Sequence, residues 1–175
     1  MKWIIVDEKY LDYLRGYESR IPRTDYGSDK YKPFFGALFE TDNLYYVTQV
    51  SHPQQRHEHM TQQKDFYKLF DPNNSNKLLA VVNLNYMFPI PKQYTQEFKN
   101  KNINQYRTFT SEDEKSKYIR LLASELKAIN RLNLGDKASY IYNLKYDSPN
   151  NKISKRCIDF KEMERLAKLY KPTTN

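Results

Sequence analysis

The sequence predicts an α+β protein with a curved antiparallel β-sheet and with additional helices mainly in the C-terminal half. Short aromatic and β-branched runs dominate residues 2–90, which is typical of strands. After residue 110 the apolar residues recur instead at helical spacing. Because the strands come first and most of the helices afterwards, the order favours an α+β fold over alternating βα units.

The predicted strands are the apolar and aromatic runs of the first half. They are Lys2 to Val6, Phe34 to Thr41, Leu44 to Val50, Phe66 to Phe70, Leu78 to Asn83 and Tyr86 to Ile90. Asp42-Asn43 predicts a hairpin between the second and third strands, and Asp71-Pro72-Asn73-Asn74 predicts a turn after the fourth.

One helix is expected early, over Glu8 to Tyr17 behind an Asp7 cap. It precedes a polar stretch, residues 18–32, in which Pro22 and Gly27 predict an exposed loop.

Three more helices are expected in the second half. Ser111 and Glu114 form a capping-box pattern at the start of a long one, whose predicted apolar face carries Tyr118, Ile119, Leu122, Leu126 and Ile129. A second is expected after Gly135 with Asp136 as its cap. A third is expected from Asp159, with Phe160, Met163, Ala167 and Tyr170 on one stripe.

Length and charge narrow the class of protein. The 175 residues are enough for one domain with a hydrophobic core, so residues 1–175 are interpreted as a single domain. The 29 Lys and Arg residues exceed the 21 Asp and Glu residues, for a formal charge of +8, which favours polyanionic partners. The 16 tyrosines and nine phenylalanines are compatible with base stacking, although most of these rings are expected in the core.

Cys157 is the only cysteine, which excludes an internal disulfide and a thiolate metal site. No signal peptide or membrane span is recognised, since the N-terminal apolar run is short. A reducing, cytoplasmic location is therefore expected.

The three histidines lie together, in Ser51-His52-Pro53-Gln54-Gln55-Arg56-His57-Glu58-His59. This segment follows a predicted strand, where active-site residues often occur. Its hydroxyl, imidazole, amide and guanidinium groups are suited to a phosphodiester, and it has too few carboxylates for a two-metal nuclease. Two alternatives stay open: His57 and His59 are ordinary surface residues, or they ligate a metal, for which the remaining ligands are not obvious.

Lys32 is the second candidate, because it lies between the polar loop and a predicted strand, in Tyr31-Lys32-Pro33-Phe34-Phe35-Gly36. A fixed cation stabilises the charge that builds on a phosphate in a phosphoryl transition state. The alternative is a solvated lysine at a strand end.

The order of several short segments resembles the ToxN/AbiQ family of type III toxin-antitoxin endoribonucleases. These segments are Lys9 to Leu14, Lys32 to Gly36, Tyr46-Val47 leading to Ser51-His52-Pro53 and His57, Asp65 to Lys68, Val82 to Pro89 and Cys157 to Phe160. None of them is diagnostic alone, but their shared order covers nearly the whole chain.

The resemblance implies a compact, barrel-like antiparallel core similar to MazF/Kid toxins. It also implies metal-independent cleavage of single-stranded, adenine-rich RNA to a 2′,3′-cyclic phosphate, with no cofactor. The implied partner is an antitoxin of repeated RNA pseudoknots, which the toxin cuts and with which it closes into a cyclic assembly. The implied biological role is abortive infection against phage, with cellular or phage RNA as substrate and no DNA or membrane partner.

Residue by residue, the resemblance assigns Lys32 to the active-site lysine and Ser51 to the first hydroxyl of a Ser/Thr-Ser-Pro-Lys turn. Tyr10 matches a tyrosine near the RNA. The chain departs from the pattern where His52 replaces the second hydroxyl and Gln54 replaces the lysine.

The resulting hypothesis makes Lys32, Ser51 and His52 catalytic. The RNA 2′-hydroxyl attacks the adjacent phosphorus, Lys32 and Ser51 contact the phosphate, and His52 acts as acid or base. The further residues expected to contact RNA are Tyr10, Tyr31, Gln54, Arg56, His57 and Lys64. A non-catalytic RNA-binding module and a metal-dependent enzyme centred on the histidines are the alternatives.

Overall fold

Three small antiparallel sheets form the β-structure of the residues that the structure describes. The computed structural model describes residues 1–24, 32–36, 38–41 and 43–172. The strands, in chain order, are β1 (Lys2–Val6), β2 (Phe34–Gly36), β3 (Glu40–Thr41), β4 (Leu44–Val47), β5 (Val50–Ser51), β6 (Phe66–Asp71), β7 (Asn74–Asn83), β8 (Phe88–Pro91) and β9 (Thr95–Glu97). The sheet orders are β2-β1-β9, β3-β4-β8 and β5-β7-β6.

The helices come mostly after the strands. They are α1 (Glu8–Arg15), α2 (Gln55–His59), α3 (Glu112–Arg131), α4 (Leu134–Asp147), α5 (Lys152–Arg156) and α6 (Phe160–Leu169), and 3₁₀ turns cover Leu84–Tyr86, Lys92–Tyr94 and Asn100–Gln105. The predicted α+β class with antiparallel sheets is therefore confirmed. Within the described ranges the three sheets stay separate and do not close into a barrel. None of the helices described is long and apolar enough to cross a membrane.

The predicted hairpin around residues 42 and 43 is confirmed, since Thr41 pairs with Leu44 across the β3–β4 turn. The single strand predicted from Phe34 to Thr41 is wrong, because its two ends pair with different partners: β2 joins β1, whereas β3 joins β4. The run from Leu44 to Val50 is likewise divided between two sheets. Aromatic and β-branched residues identified the strands, but only tertiary pairing decides where a run changes sheet.

Helix caps confirm two predicted starts. The side chain of Asp7 accepts a hydrogen bond from Lys9 N, and that of Asp159 accepts one from Glu162 N. The Ser111 hydroxyl accepts from Glu114 N, as expected, but the Glu114 carboxylate binds Thr110 rather than Ser111 and so completes only half of a capping box.

The predicted start of α4 was wrong by a few residues. The helix begins at Leu134, and its cap is Asn133, which has a left-handed backbone with φ of 46°. Asn tolerates this conformation better than most residues, which allows a short connection from α3. Asp136, the predicted cap, lies in the first turn and accepts a hydrogen bond from the Asn133 side chain at 2.6 Å.

The core contains apolar side chains from all three sheets and from the helices packed over them. Phe34 of β2 contacts Phe88 of β8 edge to face, with ring centroids 5.6 Å apart. Burying such rings is worth about 2–3 kcal/mol each and holds neighbouring sheets together. The predicted stripe on α6 buries Phe160, Met163 and Ala167. Beside the site described below, β5 pairs with β7, and α3 packs against β6 and β7.

Candidate functional site

A cavity of about 700 Å³ opens between α3, the segment entering β2 and the segment leaving β5. The residues that line it are Lys32, Ser51, His52, Gln54, Arg107, Glu114, Lys117, Tyr118, Leu121 and Glu125. The structure thus brings the three residues predicted to be catalytic into one cavity, together with Gln54. Their chemical roles remain predictions.

Secondary structure explains why these side chains meet. Lys32 lies two residues before β2, whose Phe34 is buried, so its backbone is anchored beside the sheet. Ser51 ends β5 and pairs with Val81 of the long central strand β7. Since β5 is a short strand, His52 and Gln54 emerge from its end and face the cavity rather than continuing the sheet.

Arg107 provides the second cation of the cavity. Its guanidinium lies 4.2 Å from the centroid of the Tyr118 ring and 5.5 Å from that of Phe109. It also forms an ion pair of 3.6 Å with Glu114. Stacking on aromatic rings holds a guanidinium in place while leaving its edge available for a phosphate. The Lys32 and Arg107 charges together make the cavity suited to an anion.

Glu125 is the most deeply buried charged group of the cavity. Its side chain has no exposed surface, and its Oε1 lies 3.9 Å from Lys32 Nζ. Burial raises the pKa of Glu125 to about 7, against the opposing influence of Lys32. Burial, reinforced by Arg107, lowers the pKa of Lys32, although Glu125 opposes this change. For both residues desolvation therefore outweighs their mutual attraction.

His52 is exposed, but its environment still favours the neutral ring. Partial burial lowers the pKa of His52 below its usual value of 6.5, and the positive charges of Lys32 and Arg107 lower it further. An uncharged imidazole at neutral pH is able to accept a proton.

The structure places His57, which was predicted to contact RNA, in a nearly buried position. Its ring is 6% exposed, and the ring nitrogens lie 3.0 Å from Gln54 N and 3.3 Å from Arg56 Nε. In return, Gln54 O accepts a hydrogen bond from His57 N. His57 therefore stabilises the start of α2, which the sequence did not predict, and its edges are occupied within the protein.

Tyr10 is also misplaced by the sequence-based prediction. It has no exposed surface, its hydroxyl donates to Pro89 O at 2.7 Å, and its ring packs on Tyr94 and Tyr170. Burial and the neighbouring tyrosines raise its pKa well above the usual range. Tyr10 is thus a core residue that joins α1 to β8, and its ring does not reach a surface on which RNA could lie.

Two of the remaining predicted RNA contacts, Arg56 and Lys64, lie outside the cavity. Arg56 is exposed on α2, and Lys64 donates to the Tyr140 hydroxyl at 3.0 Å and lies over that ring. Neither residue lines the cavity. Tyr31 lies outside the described residues.

The contribution of α3 and of Arg107 to the cavity was not predicted from the sequence. Lys117, Tyr118, Leu121 and Glu125 follow Glu114 at intervals of three or four residues, so they share one face of the helix. The mixture of charged and apolar residues on this face was the available signal. Among the described residues, His, Cys, Asp and Glu side chains form no group of three that could hold a metal ion.

The chain is similar to known toxin proteins. Residues 2–168 match the family model described as toxin ToxN of the type III toxin-antitoxin system. An endoribonuclease ToxN from Pectobacterium atrosepticum is 25% identical over 92 residues, 51% of this chain and 54% of that protein. The chain therefore matches about half the length of this curated relative.

Solved structures match over nearly the full chain. One, from work on a processed non-coding RNA that regulates a bacterial antiviral system, covers 97% of this chain and 99% of its own, with a TM-score of 0.78 and 20% identity. Another is AbiQ, a lactococcal anti-phage endoribonuclease of the type III toxin-antitoxin class, with 97% and 96% coverage, a TM-score of 0.73 and 17% identity. At such identities the likeness shows the fold. Together with the family match, it establishes that this chain belongs to the ToxN family of type III toxin-antitoxin toxins.

Proposed function

We propose that the protein is a metal-independent endoribonuclease toxin that cleaves single-stranded, adenine-rich RNA by transesterification. The observation that carries the proposal is that Lys32, Arg107, Ser51 and His52 surround one cavity. Two fixed cations, a hydroxyl donor and a neutral imidazole are the groups that this reaction requires. The family membership and the endoribonuclease ToxN relative support the same conclusion.

In this reaction the 2′-oxygen of the RNA forms a bond to the adjacent phosphorus as the bond from phosphorus to the 5′-oxygen breaks. His52 accepts the 2′-hydroxyl proton, and its lowered pKa keeps the ring uncharged at neutral pH so that it can do so. Lys32 and Arg107 stabilise the non-bridging oxygens, and Ser51 donates a hydrogen bond to the phosphate. Lys32 is also suited to protonate the departing 5′-oxygen, because its lowered pKa makes it a better acid than an ordinary lysine. The products are a 2′,3′-cyclic phosphate and a free 5′-hydroxyl.

The cations also support metal independence. A phosphoryl site that uses metal ions surrounds the phosphate with carboxylates, whereas this cavity presents an ammonium and a guanidinium to the anion. The one deep carboxylate, Glu125, lies beside Lys32 instead of joining a ligand cluster.

We further propose an RNA antitoxin built of repeated pseudoknots, a cyclic toxin–RNA assembly and a role in phage defence. One of the similar structures comes from a type III system in which a non-coding RNA pseudoknot selectively inhibits the toxin. The basic, aromatic-rich chain has the charge that such a partner requires.

Incubating the purified protein with an adenine-rich RNA in excess chelator, and mapping both product ends, tests the reaction. We expect cyclic phosphate ends, and no cleavage of a matched RNA with 2′-deoxyribose at the scissile position. Lys32→Met and Ser51→Ala are expected to lose cleavage while keeping most of their affinity for the uncleavable RNA. Binding without cleavage by the unaltered protein would indicate an RNA-binding module, and loss of activity in chelator would indicate a metal-dependent enzyme.

A further inference from the structure

The most buried charge of the cavity belongs to a residue to which the proposed reaction gives no role. Glu125 lies on α3 with its side chain completely buried, and neither carboxylate oxygen has a hydrogen-bond partner among the described residues. Burying an acceptor without a hydrogen bond costs about 1–3 kcal/mol, and more for a charged group. A buried carboxylate at the cavity wall that carries this cost points to a role in the site.

Lys32 is the group that Glu125 faces. The distance of 3.9 Å from Oε1 to Nζ is too long for a hydrogen bond but short enough for a strong electrostatic interaction in a desolvated pocket. The Lys32 side chain is itself only 16% exposed, so solvent screens the pair weakly.

Other charged and titratable groups also face this pair. His52 follows β5, Arg107 precedes α3, and Glu114 and Lys117 lie on α3 itself. Glu114 already accepts hydrogen bonds from Thr110 and pairs with Arg107, and Lys117 Nζ lies 2.6 Å from Asp113. Among the cavity residues described, Glu125 is thus the carboxylate left to balance Lys32.

We propose that Glu125 is a positioning residue that keeps the Lys32 ammonium protonated and directed into the cavity. This inference rests on the proposed function for its catalytic meaning. Burial and Arg107 both favour loss of the Lys32 proton, and Glu125 opposes them. A lysine surrounded only by apolar groups and a guanidinium becomes neutral readily and then stabilises a phosphate poorly. The negative charge of Glu125, buried 3.9 Å from Lys32 Nζ, prevents this.

The test compares Glu125→Gln with the unaltered protein. The amide has the size of the carboxylate but no charge, and a single opposite charge at this distance changes a pKa by about one to three units. We expect the alkaline limb of the pH–rate profile for RNA cleavage to move about one pH unit or more toward lower pH. Glu112→Gln, on the same helix but 85% exposed, is the matched control and is expected to leave the profile unchanged.

A second measurement needs no RNA. Competitive acetylation with acetic anhydride at a series of pH values, followed by mass spectrometry of the peptide containing residue 32, gives the pKa of Lys32. We expect a lower pKa in Glu125→Gln and a value nearer to that of the unaltered protein in Glu125→Asp. If Glu125→Gln does not fold, Glu125→Asp carries the comparison, with a smaller lowering expected.

An unchanged Lys32 pKa in the folded variant would overturn the inference and leave Glu125 with a structural role only. If no variant and no control cleaves RNA, the proposed function fails, whereas the acetylation result still decides whether Glu125 holds the proton on Lys32.

Discussion

Two inward-facing glutamates, Glu125 of α3 and Glu164 of α6, are treated in opposite ways by the fold. Glu164 accepts hydrogen bonds from the Tyr46 hydroxyl at 2.7 Å and from the Tyr142 hydroxyl at 3.0 Å. Glu125 has no hydrogen bond within the described chain and a loose ion pair with Lys32. A carboxylate that accepts hydrogen bonds contributes to the structure. A buried carboxylate beside a cavity that accepts none lowers stability, and this indicates a functional site.

Arg156 and Arg107 differ in the same way as the two glutamates. Arg156 binds Asp65 through two contacts of 2.6 Å, which is the bidentate geometry of a structural ion pair. Arg107 instead stacks on Tyr118, forms only a loose pair with Glu114, and has a buried Nε without a partner among the described residues. Arg156 is thus bound within the protein, whereas Arg107 has N–H donors that could bind an anion.

The largest expected effect is the loss of RNA cleavage when Arg107 is replaced. We expect Arg107→Ala to lower the rate of RNA cleavage by about 100-fold or more, since removing one group that stabilises a developing charge typically costs that much. Single-turnover rates measure the effect. Arg131→Ala, which removes an exposed charge at the end of α3, controls for net charge, and equal losses in both variants would contradict a specific role for Arg107.

The next effect is on stability. Arg156→Ala leaves Asp65, only 3% exposed, without its cation, and we expect a loss of about 3 kcal/mol in the free energy of unfolding. The partial exposure of Arg156 keeps the figure at the lower end for a buried pair. Urea denaturation measures it. Arg165→Ala, which breaks an exposed pair with Glu162, is the control and is expected to leave the stability nearly unchanged. An equally small change in Arg156→Ala would show that the Asp65 pair is not structural.

A smaller effect is expected in the pH dependence of stability. Because the pKa of Glu125 is raised to about 7 in the folded state, the folded protein binds more protons than the unfolded chain between about pH 4.5 and 7. This contribution to stability is present at low pH and is lost as pH rises through that window. We expect the difference in unfolding free energy between the unaltered protein and Glu125→Gln to change by about 2 kcal/mol from pH 5 to pH 8. Parallel pH profiles in the two proteins would contradict the raised pKa.

The smallest effect concerns the satisfied glutamate. We expect Glu164→Gln to cost about 1 kcal/mol, because both tyrosine hydroxyls donate to one oxygen, Oε1, and a neutral amide oxygen in its place accepts weaker hydrogen bonds than a carboxylate does. Thermal melts measure the loss, and the RNA cleavage rate is expected to stay unchanged. A large fall in activity would mean that α6 communicates with the cavity, and the contrast between the two glutamates would then be lost.

Sequence patterns located the elements better than the residues of the site. The Asp7 and Asp159 caps and the β3–β4 hairpin were predictable, because capping and turn chemistry act within a few residues. His57 and Tyr10 were misplaced for the opposite reason. The phenol of Tyr10 is buried by partners far along the chain, such as Pro89, and the imidazole of His57 is enclosed by Phe66 and by α2, a short helix that the sequence did not predict.

What the sequence determined by itself was the α+β class, the basic and aromatic character of the chain, and the choice of Lys32, Ser51 and His52 as candidates. The tertiary structure alone decided that these three line one cavity, and that Arg107 and Glu125 complete it. The physical reason is the distance along the chain over which each kind of interaction acts. Periodicity, capping and turn signals act between near neighbours, whereas the pairing of sheets and the docking of α3 over them determine which charges are buried together and how far their pKa values move.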